Sequence, residues 1–102
     1  MKTHYLVDLS DFIRTDSAVL AGKDYGQSCR LETSLDNLSP RERVVVVVPD
    51  EVFAVTTSFF EGLFGYDIAD RGVTGFRESF SFEGKEISHV VAHCLEAAQL
   101  SQ

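Results

Sequence analysis

Three consecutive hydroxyl residues, Thr56-Thr57-Ser58, stand directly before Phe59 and Phe60. Such a group can accept hydrogen bonds from the free N–H groups that open a helix, and its oxygens can also be esterified by a kinase. Ser58 has Glu61 three residues on, the S-x-x-E spacing of a capping box. Capping alone accounts for such a serine and contributes about 1 kcal/mol. Phosphorylation would set about two negative charges against the positive end of a helix dipole and change what a partner reads there. With Ser58 as the cap, one of Phe59 and Phe60 is expected to face the core and the other to be partly exposed.

The remaining polar groups offer less chemistry. His89 and His93 are spaced i, i+4 with Glu86 one turn earlier, a spacing that can hold a metal. Both fall opposite an apolar helical stripe and should point into water, and no second ligand pair accompanies them, so no metal is expected. His4 stands apart. Asp8, Asp11 and Asp16 make an acidic loop of a kind that is usually only solvated. A Ser/His/Asp hydrolase would need a nucleophile elbow, but Ser58 lies between Thr57 and Phe59 rather than in G-x-S-x-G. Gly62, Gly65, Gly72 and Gly75 do not link a strand to a helix as a phosphate-binding loop must. The chain is accordingly expected to be non-catalytic and to need no cofactor.

The elements that position the hydroxyl group start with Val44–Val48. Five consecutive β-branched residues favour a strand over a helix, and a strand buried on both faces. Pro49 stops it, Asp50 to Val55 is read as a crossing loop, and a helix is expected from about Thr57 to Phe64 with Gly65 as its C-cap. Its buried stripe is Phe59, Phe60, Leu63 and Phe64. Upstream, His4 to Asp8 reads as a short strand with Tyr5, Val7 and Leu9 on one side. A loop with an extended piece around Ala18-Val19-Leu20 follows. Asp24 is expected to cap a helix through about Leu38, on the spacing of Leu31, Leu35 and Leu38, with Pro40 ending it. Downstream, Phe76, Phe80 and Phe82 alternate as a strand closed by Gly84, and Glu78 on the same face makes it an edge or bulged strand. Ile87, Val90, Val91, Cys94, Leu95 and Ala98 form one helical stripe, opposite Lys85, His89, His93 and Glu96. The alternation of strands and helices gives an α/β fold: a mostly parallel sheet of about four strands with about three helices against it.

Composition bounds the rest. A chain of 102 residues is long enough for one core, so one domain is expected. The net charge of −7 excludes non-specific nucleic-acid binding, which needs a basic surface, and suits a basic protein partner. No apolar run reaches a membrane span, and Met1-Lys2-Thr3-His4 lacks the apolar stretch of an export signal. Cys29 and Cys94 are therefore expected to be reduced core thiols in the cytoplasm.

The stretch Val55-Thr56-Thr57-Ser58-Phe59-Phe60-Glu61-Gly62-Leu63-Phe64-Gly65, after a valine-rich strand ending near Asp50, resembles the STAS-like domain family of unknown function (DUF4325). Gly22, Tyr25-Gly26 and Arg30 look like that family's earlier segment. The resemblance spans roughly residues 4 to 100, and its specific part is about a dozen positions. It implies a STAS-type fold and a regulatory, protein-binding role. In the related anti-sigma-factor antagonists, a serine at the start of the helix after the central strand is phosphorylated by a kinase-like partner. That position falls on Ser58, with Thr57 before it, Thr56 where those relatives carry aspartate, and Phe59 where they carry glycine. The resemblance thus implies docking or phosphorylation around Asp50, Thr57, Ser58 and Phe59, and a protein partner such as a histidine-kinase-like ATPase. A second reading from acidity and size is a small inhibitor, of the kind a phage encodes, that mimics nucleic-acid charge on a basic nucleic-acid-binding surface of a target. It requires carboxylates gathered on one face, whereas the first reading requires them scattered and an apolar patch near Ser58. The Phe-rich edge strand also invites a homodimer.

Overall fold

A computed structural model describes residues 4–13, 18–38 and 42–100. Five strands and three helices alternate along them: β1 (His4–Asp8), β2 (Val19–Leu20), α1 (Lys23–Leu31), β3 (Arg43–Val48), β4 (Ala54–Val55), α2 (Thr57–Ser79), β5 (Phe80–Gly84) and α3 (Ser88–Leu100). Short 3-10 turns cover Leu9–Phe12 and Leu35–Asn37. The fold is α/β, and every strand pairing is parallel. In place of one sheet of about four strands there are two: β1-β3-β5, and a separate ribbon β2-β4. The valine strand is central, with Tyr5 opposite Val44, Val7 opposite Val46, and Phe80 and Phe82 opposite Val44 and Val46.

Burial corrects one expectation about that strand. Val44, Val46 and Val48 are fully buried, while Val45 and Val47 are only half-buried. Strand side chains alternate between faces. The helices therefore cover one face of the sheet, and the other carries Leu6, Val45 and Val47.

Helix boundaries differ more. The helix α1 ends at Leu31, not Leu38, and Leu31 itself is 80% exposed. The spacing of Leu31, Leu35 and Leu38 spans a turn and a 3-10 segment instead, with Leu35 buried and Leu38 packed at the core's margin. Gly22, not Asp24, precedes the helix, and Asp24 lies within its first turn. Pro40 and Asp16 lie outside the described residues.

Helix α2 runs through Gly65 and on to Ser79, broken only at Gly72, whose φ of 76° and ψ of 169° are not helical. Gly65 is thus an interior residue and not a C-cap. Phe76 belongs to the last turns of this helix rather than to a strand, and Glu78 is exposed there. The four-residue step from Phe76 to Phe80 spans the end of the helix, where the Phe80 N–H donates to the Phe76 carbonyl and the backbone turns extended. The two rings stack at 4.3 Å between centroids. The break at Gly72 turns the final segment back so that Phe76 also meets Phe60 and Phe64, at 6.3 and 6.2 Å. The last helix is as expected: Ile87, Val90, Val91, Cys94 and Leu95 are buried, Ala98 packs against the core, and His89, His93 and Glu96 are exposed.

Helices α1 and α2 cross at two glycines. A Cβ on Gly26 would lie 2.3 Å from the Phe59 carbonyl oxygen, and one on Gly62 would lie 2.1 Å from the Lys23 carbonyl oxygen. Only backbone fits at this crossing.

Candidate functional site

The β2–β4 ribbon sets where α2 begins. The Phe53 N–H donates to the Ala18 carbonyl at 2.8 Å and the Thr56 N–H donates to Leu20 at 2.9 Å. That pairing extends the backbone at Thr56 (φ −85°, ψ 157°), which is the conformation an N-cap needs. Thr56 accordingly caps the helix, its Oγ1 accepting from the Phe59 N–H at 3.2 Å. Ser58 is therefore not the cap, and the spacing to Glu61 forms no capping box. Ser58 sits inside the first turn, exposed, with its Oγ 3.2 Å from Thr56 Oγ1. Thr57 is half-buried, and its carbonyl accepts from Cys94 Sγ at 3.5 Å.

The shift of the cap from Ser58 to Thr56 accompanies the burial of both Phe59 and Phe60, at 0% and 1% exposure, instead of one being partly exposed. Their rings lean to opposite sides of α2. Phe59 meets Tyr25 of α1 and Phe12, and Phe60 meets Phe64, Phe76 and Phe82. The helix lies between α1 and the sheet, so both directions are interior. Asp50 is exposed in the turn closed by the Val52 N–H on the Pro49 carbonyl.

The ribbon that fixes Thr56 also displays apolar surface. Phe53 is 71% exposed and Val19 40%. The Lys85 ammonium lies 5.4 Å from the Phe53 ring centroid and donates to the Val52 carbonyl at 3.1 Å. The exposed Ser58 hydroxyl at the helix entry thus follows, five residues on from Phe53, an apolar strip with one cation on it.

The polar centre that sequence reasoning missed is Arg30. Its guanidinium donates to Asp67 at 2.6 and 3.3 Å, to the Leu63 carbonyl at 2.8 Å and to Asp36 at 2.9 and 3.0 Å. Tyr66 flanks it at 5.2 Å. Burial opposes the Arg30 charge, but the hydrogen bonds and charge of Asp67 and Asp36 outweigh it and hold its pKa above the ordinary value. Arg30 and Asp67 are both buried, and this group ties α1, the following turn and the middle of α2 together. The family resemblance drew on Arg30, but nothing in the spacing pointed to Asp67, which lies in a stretch that reads as polar.

A groove of about 870 Å³ runs beside α2 past Lys23, Arg30, Glu61, Tyr66 and Cys94. Arg30 is committed to its carboxylates, and burial followed by the nearby Glu61 charge pushes the Cys94 thiol up to about 11, so it stays protonated. Both cysteines are buried. His89 and His93 remain on the exposed face of α3. Glu86 is engaged by Ser88, whose hydroxyl and N–H, the latter donating at 2.6 Å, together lower its carboxyl pKa. Asp8 accepts from the Ser10 N–H and hydroxyl at 2.9 and 2.7 Å, so it caps the 3-10 turn. Among the described residues no group of three His, Cys, Asp or Glu could hold a metal ion, and no helix is long and apolar enough to cross a membrane. Comparison with protein-family models, curated proteins and solved structures gives no match.

Proposed function

We propose that this chain is a non-catalytic, regulatory protein-interaction module of STAS-like type, docking its partner at the entry of α2 and switched by phosphorylation of Ser58. The observation that carries the reading is an exposed Ser58 that follows closely in the chain on an exposed apolar strip. Thr56 does the capping, so the Ser58 hydroxyl is not needed to hold the helix and stands free of that duty. Phe53 and Val19 supply the contact surface that a partner would cover. A phosphate on Ser58 Oγ would meet the N-terminal N–H groups of α2, so the helix tolerates it, while the partner meets about two added negative charges. In this mechanism a kinase-like ATPase transfers the phosphoryl group and is itself a candidate partner. The acidic-inhibitor reading is supported less. Carboxylates are spread over α1 (Asp24), the β3–β4 turn (Asp50, Glu51), α2 (Asp70, Glu78), β5 (Glu83) and α3 (Glu96), not gathered on one element.

The test is to purify the protein from its native host and map phosphoryl groups by mass spectrometry, then compare wild type, Ser58→Ala and Ser58→Asp for binding to the captured kinase or regulator. Expected are a phosphoryl group on Ser58 and weaker binding by Ser58→Asp alone. Equal binding by all three, with no phosphate on Ser58 or Thr57, overturns the reading.

A further inference from the structure

Among the described residues no helix lies on one face of the three-stranded sheet, and the residues of that face form three rows. Pairing registers place His4 beside Arg43, then Leu6 beside Val45 and Ser81, then Asp8 beside Val47 and Glu83. Leu6 is 60% exposed, and Val45 and Val47 are half-buried. Parallel sheets are ordinarily covered on both faces. This one carries an apolar centre, a basic row at one end and an acidic row at the other.

We infer that a second copy of this chain covers that face, with the strands of the two sheets antiparallel across a two-fold axis perpendicular to them. Charge chooses between the two symmetric ways of stacking the sheets. A two-fold along the strands would lay β1 over β5 and set Asp8 against Glu83, like charge on like. A two-fold across the strands lays Leu6 on Leu6 and Val45 on Val45. It brings the His4–Arg43 row of each copy to the Asp8–Glu83 row of the other. Arg43 is exposed, with one guanidinium N–H donated to the Glu78 carbonyl at 3.0 Å and others remaining. Such an interface is isologous and closes at two copies. Strands about 4.8 Å apart and rising about 3.3 Å per residue give this face roughly 240 Å². That is far below the ~800 Å² per partner of a stable complex, so the dimer is a weak one, and about 10 μM to 1 mM is the range in which to seek it. This inference is independent of the Ser58 reading, because it concerns the opposite side of the sheet from α2.

Sedimentation equilibrium over that concentration range tests it. The expected results are a monomer–dimer equilibrium in the wild type and at least about tenfold weaker association in Arg43→Glu and in Glu83→Arg, where like charges meet. Association should recover in the double swap, where the pair is reversed. Leu6→Lys, at an exposed position that folding does not need, abolishes the dimer while leaving the circular-dichroism spectrum intact. A wild type that stays monomeric throughout, a dimer that survives Leu6→Lys, or a double swap no better than either single variant overturns the inference.

Discussion

Replacing Gly62 with alanine should destabilise the protein, and replacing Gly65 with alanine should stabilise it. Both lie inside α2, where glycine costs about 0.5–1 kcal/mol relative to alanine. At Gly65 the added Cβ meets nothing within 4 Å, so that gain is realised in full, and the melting temperature should rise by about 4 °C. At Gly62 the Cβ would stand 2.1 Å from the Lys23 carbonyl oxygen and 2.9 Å from the Gln27 nitrogen. Neither is the movable end of a side chain, so α1 and α2 must separate by about 1 Å or more, loosening the Arg30 contacts to Leu63 and Asp67. Overpacking of this kind costs about 1–3 kcal/mol, and a backbone clash belongs at the upper end. After the helix-propensity gain the net loss is about 2 kcal/mol, a fall of roughly 8–16 °C. Thermal and urea unfolding followed by helical circular dichroism measures both. A Gly62→Ala protein as stable as wild type refutes the close crossing. A Gly65→Ala protein less stable than wild type by 1 kcal/mol or so refutes the continuous helix and restores a C-cap there.

Thr56→Ala should cost about 1 kcal/mol through loss of the cap, whereas Ser58→Ala should stay within about 0.5 kcal/mol; chemical denaturation of the pair checks which hydroxyl holds the helix. Asp67→Ala removes the buried partner of Arg30, leaving it the more exposed Asp36 and the Leu63 carbonyl, and should cost about 3 kcal/mol, while Asp36→Ala, whose side chain is 57% exposed, should cost about 1 kcal/mol or less. Equal losses from the two would contradict the geometry. Cys94 should resist iodoacetamide in the native protein at neutral pH and react on unfolding, as peptide mass mapping would show. Its thiol pKa is raised on folding, so the associated stability is present below the unfolded thiol's pKa and is lost as pH climbs toward about 11. Unfolding midpoints measured through that window should fall.

Much of the fold is legible because strong local patterns carry it. The strand at His4–Asp8, the valine strand and the last helix each declare themselves by alternation, β-branching or a single apolar stripe. The extended piece at Val19–Leu20 is also visible. What misleads is tertiary choice overriding local spacing. Leu31 keeps helical step with Leu35 and Leu38, yet the chain turns between them and Leu31 is left in solvent. Gly65 looks like a terminator, but it sits where α2 faces the groove and an interior glycine is tolerated. At the site, the hydroxyl trio is conspicuous, but the cap falls on Thr56 because a non-local pairing with Leu20 fixes its backbone. Arg30 and Asp67 are far apart in the chain, and only the meeting of α1 and α2 joins them.

The order β1-β3-β5 has a kinetic consequence. Each pairing joins strands separated by at least one helix, so no sheet hydrogen bond forms until a long loop has closed. During that interval the five valines of β3 form an uncharged, β-branched segment with both edges open, the kind of sequence that pairs with other chains. Native β1 and β5 then act as guards, occupying both edges of the segment most prone to aggregate. Changes that detach either flanking strand should show first as poor recovery of soluble protein, ahead of any measurable loss in the melting temperature of the fraction that folds.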